Sequence, residues 1–265
     1  MSQIKQIHCI PVLSDNYVWV IEGVDNTCAV VDPGQAEPVL AFLEAHTLTP
    51  VAVLITHHHH DHIGGLSQLT QQFSLDVYGP EGLRGQGVNH PVKEQDQINL
   101  ANITTLDVLE TPGHTQGHLC FYNDAVIFCG DTLFTLGCGR LFDGNAAQMQ
   151  QSMDKLRQLP DDLTMYCGHE YTQDSLKFAL HCDPDNPVLA RRAEEINQLR
   201  AQNHPTASAN LGLEKQTNPF LRVRDPVIRQ AIEAYEGRKI NDDAAAFAVL
   251  RHWKDDFDGL ARLPD

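Results

Sequence analysis

Up to about residue 170, apolar positions come in short runs and strand-like alternations broken by turns. Beyond that point they recur at helical spacing. The first pattern predicts strands at residues 17–22, 27–32, 51–56, 103–109, 118–122, 125–129 and 163–167, with amphipathic helices at 37–46, 65–73 and 146–159. In the second region strand signals vanish. Asn186-Pro187 and Asp225-Pro226 each place a capping side chain before a proline at the first helical position, and helices are predicted at 172–180, 188–202, 226–235 and 242–253. A polar connection over 204–215 follows neither period. The chain therefore reads as an α/β region over 1–170 followed by a helical region over 171–265.

Composition narrows the classes of partner. With 35 acidic against 19 basic residues, the formal net charge of −16 opposes non-specific binding to nucleic acid or an anionic membrane, so an anionic substrate needs a local basic patch. The seven cysteines (Cys9, Cys28, Cys120, Cys129, Cys138, Cys167, Cys182) are odd in number and never spaced C-x-x-C, which argues against a disulfide framework or a thiolate zinc site. Among apolar neighbours they read as small buried hydrophobes. No apolar run approaches the ~18 residues that span a bilayer, and no basic-then-apolar leader precedes Ile4, so the expected compartment is the cytoplasm.

The chemistry concentrates after the apolar run 51–56, which feeds His57-His58-His59-His60-Asp61-His62-Ile63-Gly64-Gly65. H-x-H-x-D-H offers four nitrogen and oxygen ligands, more than so short a segment can wrap around one ion, so two adjacent ions are implied. A purification tag would be terminal and uniform, whereas this run is internal and broken by Asp61. Alternation points His58 and His60 away from the ligand side. Three more apolar segments end on metal-competent side chains, at Thr111-Pro112-Gly113-His114, Gly130-Asp131-Thr132 and Gly168-His169-Glu170. Seven side chains (His57, His59, Asp61, His62, His114, Asp131, His169) serve two ions if one carboxylate bridges. Asp131 suits that place, because a carboxylate has two oxygens and an imidazole one free nitrogen.

The ordered motifs T-H-x-H-x-D-H, T-P-G-H-T, G-D-T-L-F and G-H-E-Y-T resemble the metallo-β-lactamase superfamily, and the last three its glyoxalase II branch, the hydroxyacylglutathione hydrolases. The resemblance implies an αββα sandwich followed by a small α-helical C-terminal domain that closes over the substrate. It implies two divalent ions, zinc with iron or manganese as alternatives: His57, His59 and His114 on the first, Asp61, His62 and His169 on the second, and Asp131 on both. For glutathione it implies Arg140 and Phe142 after the G-C-G turn, Tyr171 after the last metal histidine, and Arg251 and Lys254 in a C-terminal R-x-x-K. Phe142 and Arg140 stand where some members carry tyrosine and lysine. Arg251 and Lys254 also share one face of a helix that Asn241 is expected to open, and as a pair they match the glycine carboxylate of glutathione.

The implied reaction is hydrolysis of S-D-lactoylglutathione and related 2-hydroxyacylglutathiones to D-lactate and glutathione, the second step of methylglyoxal detoxification. Hydroxide generated at the two-metal centre attacks the thioester, with Asp61 and Asp131 as the catalytic carboxylates. The expected partner is this small thioester alone, with a monomeric protein and no nucleic acid or membrane. Rival readings are a lactonase, β-lactamase or phosphodiesterase on the same scaffold, a one-iron persulfide dioxygenase, and a non-catalytic metal-binding protein. Seven non-sulfur ligands over two ions argue against the last, because structural zinc sites are usually saturated by four.

Overall fold

The computed structural model describes residues 3–259, so the outermost residues of the 1–170 and 171–265 regions lie outside the described part. Its elements begin with β1 (Gln6–Val12), β2 (Asn16–Glu22), β3 (Thr27–Val31), α1 (Ala36–His46), β4 (Thr49–Leu54), α2 (His60–Ile63), α3 (Leu66–Gln72), β5 (Asp76–Gly79), β6 (His90–Pro91), β7 (Gln97–Leu100) and β8 (Thr104–Glu110). They continue with β9 (Leu119–Tyr122), β10 (Val126–Gly130), β11 (Leu133–Phe134), β12 (Gly137–Cys138), α4 (Ala146–Gln158), β13 (Thr164–Cys167), α5 (Thr172–Cys182), α6 (Pro187–Ala201), β14 (Ser208–Asn210), α7 (Leu211–Thr217), α8 (Pro226–Glu236) and α9 (Asp243–Phe257). The chain forms two compact units. One comprises Met1–Glu110, Gly117–Asp131 and Met165–Glu170; the other comprises Thr111–Gln116, Thr132–Thr164 and Tyr171–Asp265.

In the first unit, one sheet runs in the order β1-β2-β3-β4-β5-β6, antiparallel through β3 and parallel from there on. All seven residues of β2 are buried, which means both faces of that strand are covered. Val18 and Val20, with Val30, Val53, Ile55 and Val77, pack against Val39 and Leu43 of α1 and Leu66 and Leu69 of α3. On β2, Trp19 points the other way. Its ring meets Tyr166 of β13 edge-on at 4.8 Å, and its Nε1 donates to the Cys167 carbonyl at 2.9 Å. Strand β13 belongs to the second sheet, which within this unit runs β13-β10-β9-β8-β7. Strand β1 lies outside the predicted set. It is an edge strand carrying Pro11, a residue tolerated at an edge but one that erases the alternation a sequence reading relies on.

The second unit is mostly helical, and both proline-led caps are present. Asn186 Oδ1 accepts from the Val188 and Leu189 amides at 3.0 and 3.2 Å, and Asp225 Oδ1 from Val227 at 2.9 Å. Helix α9 is capped by Asp242, which accepts from Ala245 at 2.7 Å, rather than by Asn241. Helix α4 packs against α9, and Arg224 joins Asp154 of α4 to Asp243 of α9, each at 2.5 Å. Within 204–215 the structure has β14 and the start of α7. Helix α7 buries Glu214 completely against Arg192 of α6, and Glu214 also accepts from the Leu136 amide at 2.8 Å and Asn218 Nδ2 at 3.0 Å. None of the seven cysteines forms a disulfide, and six of them are buried. Among the described residues no helix is long and apolar enough to cross a membrane.

Candidate metal centre and basic cluster

Strand β4 ends at Leu54, and the next residues run extended into the single turn of α2, so His57, His59, Asp61 and His62 all sit at one strand end. His58 and His60 are exposed, as alternation requires, while His57 and His62 are buried. The Nε2 of His57 and Nδ1 of His59 lie 3.1 Å apart. Asp32, at the end of β3, ties this segment down: its carboxylate accepts from the Thr56 amide at 2.8 Å, the Thr56 hydroxyl at 2.7 Å and His62 Nδ1 at 2.9 Å. Thr56 Oγ1 in turn lies 3.0 Å from His57 Nδ1. Because Asp32 takes the Nδ1 proton of His62, the other ring nitrogen is left to face inward. Gly34 lets the two strand ends close up, since a Cβ there would lie 1.9 Å from the Asp61 carbonyl oxygen.

Asp61, His62 and His169 bring one ligand atom each within 4.8 Å of one another. Asp131 completes the cluster, with His62 Nε2 at 3.4 Å from its Oδ1 and His169 Nε2 at 3.2 Å from its Oδ2. His169 Nδ1 donates to Asp15 at 2.7 Å, and Asn16 Nδ2 donates to Asp61 Oδ2 at 2.8 Å. The backbone amide of Asp131 donates to Nε2 of the buried His118, whose ring stacks on His57 at 4.9 Å. Gly168 is also required: a Cβ on it would stand 2.5 Å from Asp131 Oδ1 and 2.7 Å from His62 Cε1.

The charges of this cluster fit a divalent cation. His62 Nε2 is buried with no hydrogen-bond partner, although it faces two carboxylates. Burial works against charge on His62, but the Asp131 and Asp32 carboxylates outweigh it and push the imidazole up to about 10. His169 moves in the same direction for the same reason, led by Asp131. Burial opposes ionisation of Asp131 and Asp61 too, yet His62 and His169 hold Asp131, and His169, His62 and Asn16 hold Asp61, well below the usual carboxylate range. Two imidazoles that favour their charged form thus face two carboxylates, a donor set that a divalent ion would satisfy in place of the protons.

In the second unit His114 follows β8 in the turn Thr111–Gln116. It is 3% exposed, donates from Nδ1 to the Arg140 carbonyl at 2.7 Å, and meets Phe142 edge-on at 5.2 Å. Phe142 is 60% exposed, with the Arg140 guanidinium 5.7 Å from its ring centre. Tyr171 is partly exposed and edge-on to Phe134. Arg251 and Lys254 are not a solvated helix face, each being 5% exposed. Arg251 stacks over Phe220 and donates from Nη1 to the Cys138 carbonyl at 2.9 Å and from Nη2 to Asp255 at 3.0 Å. Lys254 lies over Phe178 and pairs with Asp258.

Four polar residues of the metal cluster fall outside the seven-ligand reading: Asp15, Asn16, Asp32 and His118. Asp32 has the same signature as the ligands, a metal-competent side chain delivered by an apolar strand, with Pro33 and Gly34 after it. Asp15 closes the three-residue turn between β1 and β2 and Asn16 opens β2, positions where such residues are ordinary turn formers.

Residues 13–169 match the family model of the metallo-beta-lactamase superfamily, and residues 170–257 match that of the hydroxyacylglutathione hydrolase C-terminus. Hydroxyacylglutathione hydrolases from Photobacterium profundum and Nitrosomonas europaea are 47% and 45% identical to the chain. The first alignment covers 95% of this chain and 99% of the relative, the second 94% and 95%. Among solved structures, ETHE1 from Myxococcus xanthus superposes with a TM-score of 0.67 over 98% of this chain and 92% of its own, at 23% identity, a likeness of fold.

Proposed function

The chain belongs to the metallo-beta-lactamase superfamily and, within it, to the hydroxyacylglutathione hydrolases, and from that membership we propose that it hydrolyses S-D-lactoylglutathione and related 2-hydroxyacyl thioesters to the hydroxy acid and glutathione. The observation that carries the choice of substrate over a lactone or phosphodiester is the C-terminal match over residues 170–257, the stretch containing Arg251 and Lys254.

His57, His59 and His114 are the proposed ligands of one divalent ion, Asp61, His62 and His169 of a second, with Asp131 shared. A set of imidazoles and carboxylates without thiolate suits zinc, and also iron or manganese; we assign zinc. When bound, two such ions supply a water of lowered pKa and polarise the thioester carbonyl. Asp61, whose carboxylate is fixed by Asn16, would orient the attacking water, and Asp131, anchored through its amide to His118, would be the carboxylate shared by the two ions. The leaving group is a thiolate whose conjugate acid has a pKa near ~8.5, so no general acid is needed. Arg140, Arg251 and Lys254 are the proposed partners of the glutathione carboxylates, and Phe142 and Tyr171 line the glutathione chain. Seven cysteines outside any disulfide suit a reducing compartment, and we place the protein in the cytoplasm as a monomer.

The test is thiol release from S-D-lactoylglutathione by protein of known metal content, beside the Arg251→Ala/Lys254→Ala double variant. Turnover by the parent with a raised KM in the variant supports the reading. A metal-loaded parent that releases no thiol overturns it.

A further inference from the structure

We propose that Asp255 is a built-in competitor for the substrate's carboxylate, holding Arg251 and Arg140 in the free protein and thereby setting how tightly the thioester and the released glutathione are bound. The inference rests on the assignment of Arg251 to glutathione binding made above.

Each cation assigned to that task faces a carboxylate of its own chain. Asp255 Oδ1 lies 3.0 Å from Arg251 Nη2 and 3.7 Å from Arg140 Nε, and Lys254 is paired with Asp258. The guanidinium of Arg251 is pinned by the Phe220 ring and the Cys138 carbonyl, and its Nε is buried without a partner, so it has little freedom to turn toward a new anion. An incoming carboxylate must therefore displace Asp255 or share its position.

The two sides of these pairs differ in access to water. Side-chain exposure is 6% for both Arg251 and Lys254, against 22% for Asp255 and 24% for Asp258. Arg251 and Lys254 are desolvated, whereas the carboxylates sit toward solvent and rehydrate when they swing away. Stability of the helix does not account for the two acids. Both lie at the C-terminal end of α9, where the helix dipole disfavours negative charge, and Arg before Asp at i,i+4 is the weaker orientation of such a pair.

The experiment is calorimetric titration of glutathione into the metal-loaded protein, with KM for S-D-lactoylglutathione measured alongside, for the parent, Asp255→Asn, Asp258→Asn and Arg251→Ala. Neutralising Asp255 is expected to lower both the glutathione Kd and KM by roughly two- to fivefold, the scale of one partly exposed ion pair. Asp258→Asn, which releases Lys254, carries the same expectation and decides the matter should Asp255→Asn not fold. If Arg251→Ala weakens glutathione binding while Asp255→Asn weakens it too or leaves it unchanged, Asp255 is a scaffold and the proposal is overturned with the assignment intact. If Arg251→Ala leaves glutathione binding unchanged, the assignment itself fails and takes the proposal with it.

Discussion

Replacing Gly168 by alanine adds one methyl group at the centre of the metal cluster. Gly168 is absent from the glycines with positive φ, so alanine meets no backbone penalty there and the effect comes from the methyl alone. That methyl would stand 2.5 Å from Asp131 Oδ1 and 2.7 Å from His62 Cε1, where ordinary contact begins at 3.4 Å, so both side chains must retreat by somewhat under 1 Å. Neither has room: Asp131 and His62 are 5% and 1% exposed, and His62 is also tethered to Asp32. Metal–ligand distances hold to about ±0.2 Å, so a shift of this size costs an ion its ligand rather than stretching a bond. Misplacing reacting groups by about 1 Å costs on the order of 100-fold in rate, and overpacking a core costs about 1–3 kcal/mol. We expect Gly168→Ala to hold fewer ions per chain by elemental analysis, to surrender them faster to a chelator, and to lose about two orders of magnitude in kcat/KM. Gly117→Ala is the control, because its added methyl would meet only Pro80 at 3.7 Å. A Gly168→Ala protein with full metal content and kcat/KM close to the parent would refute the reasoning.

Asp15→Ala and Asn16→Ala should each weaken retention of one ion by about 10–100-fold, the usual cost of removing an outer hydrogen bond to a ligand. Chelator titration reads this directly, and unchanged retention in both variants would count against the Asp15–His169 and Asn16–Asp61 contacts. Arg192→Ala should cost roughly 3–5 kcal/mol in urea unfolding, because it strands the buried carboxylate of Glu214, whereas Arg192→Met with Glu214→Leu should cost less than Arg192→Ala. Stability should fall in acid. Burial raises the Asp225 carboxyl, but Arg222 more than offsets it, and Arg224 holds Asp243 down, so both titrate below the ordinary range. A depressed folded-state pKa gives stability that is present above the unfolded value near ~3.9 and is lost as pH drops through the folded one. Thermal melts should therefore decline below about pH 4, less steeply in Arg224→Ala, and melts that do not change between pH 6 and pH 3 would contradict this.

What the sequence reveals here follows from which interactions leave a periodic trace. The run from His57 to His62 is legible because a fully apolar strand delivers it, and Gly113, Gly130 and Gly168 mark three further strand ends. Asp32 shares that signature but reads as the end of a strand, because nothing local indicates that its carboxylate reaches the Thr56 and His62 side chains of the neighbouring segment. Helix α7 escapes periodicity for a different reason. Its Glu214 lies in the interior and is satisfied by Arg192, Asn218 and a backbone amide, so a charged letter stands where the pattern requires an apolar one. Likewise the placement of Ala146–Gln158 in the unit of the C-terminal helices depends on Arg224 reaching Asp154, a pairing 70 residues apart.

Burial of the cysteines bears on the chemical environment the proposed reaction creates. Hydrolysis of a glutathione thioester releases a thiol beside the protein, and cells that hold glutathione also hold its disulfide, which exchanges with any accessible thiolate. Burial, the leading cause in each case, pushes the thiols of Cys9 and Cys28 up to about 12 and that of Cys138 to about 11, and raises Cys182 further. At pH near 7.4 a thiol of pKa 11 is ionised in only about one molecule in several thousand, so mixed-disulfide formation at Cys138 lacks its nucleophile even though Cys138 adjoins Arg251. The thiol beside Arg251 is thereby insulated from the product: shifts in the glutathione redox poise should leave Cys138, and the contact it makes with Arg251, unaltered where a surface thiol would be capped.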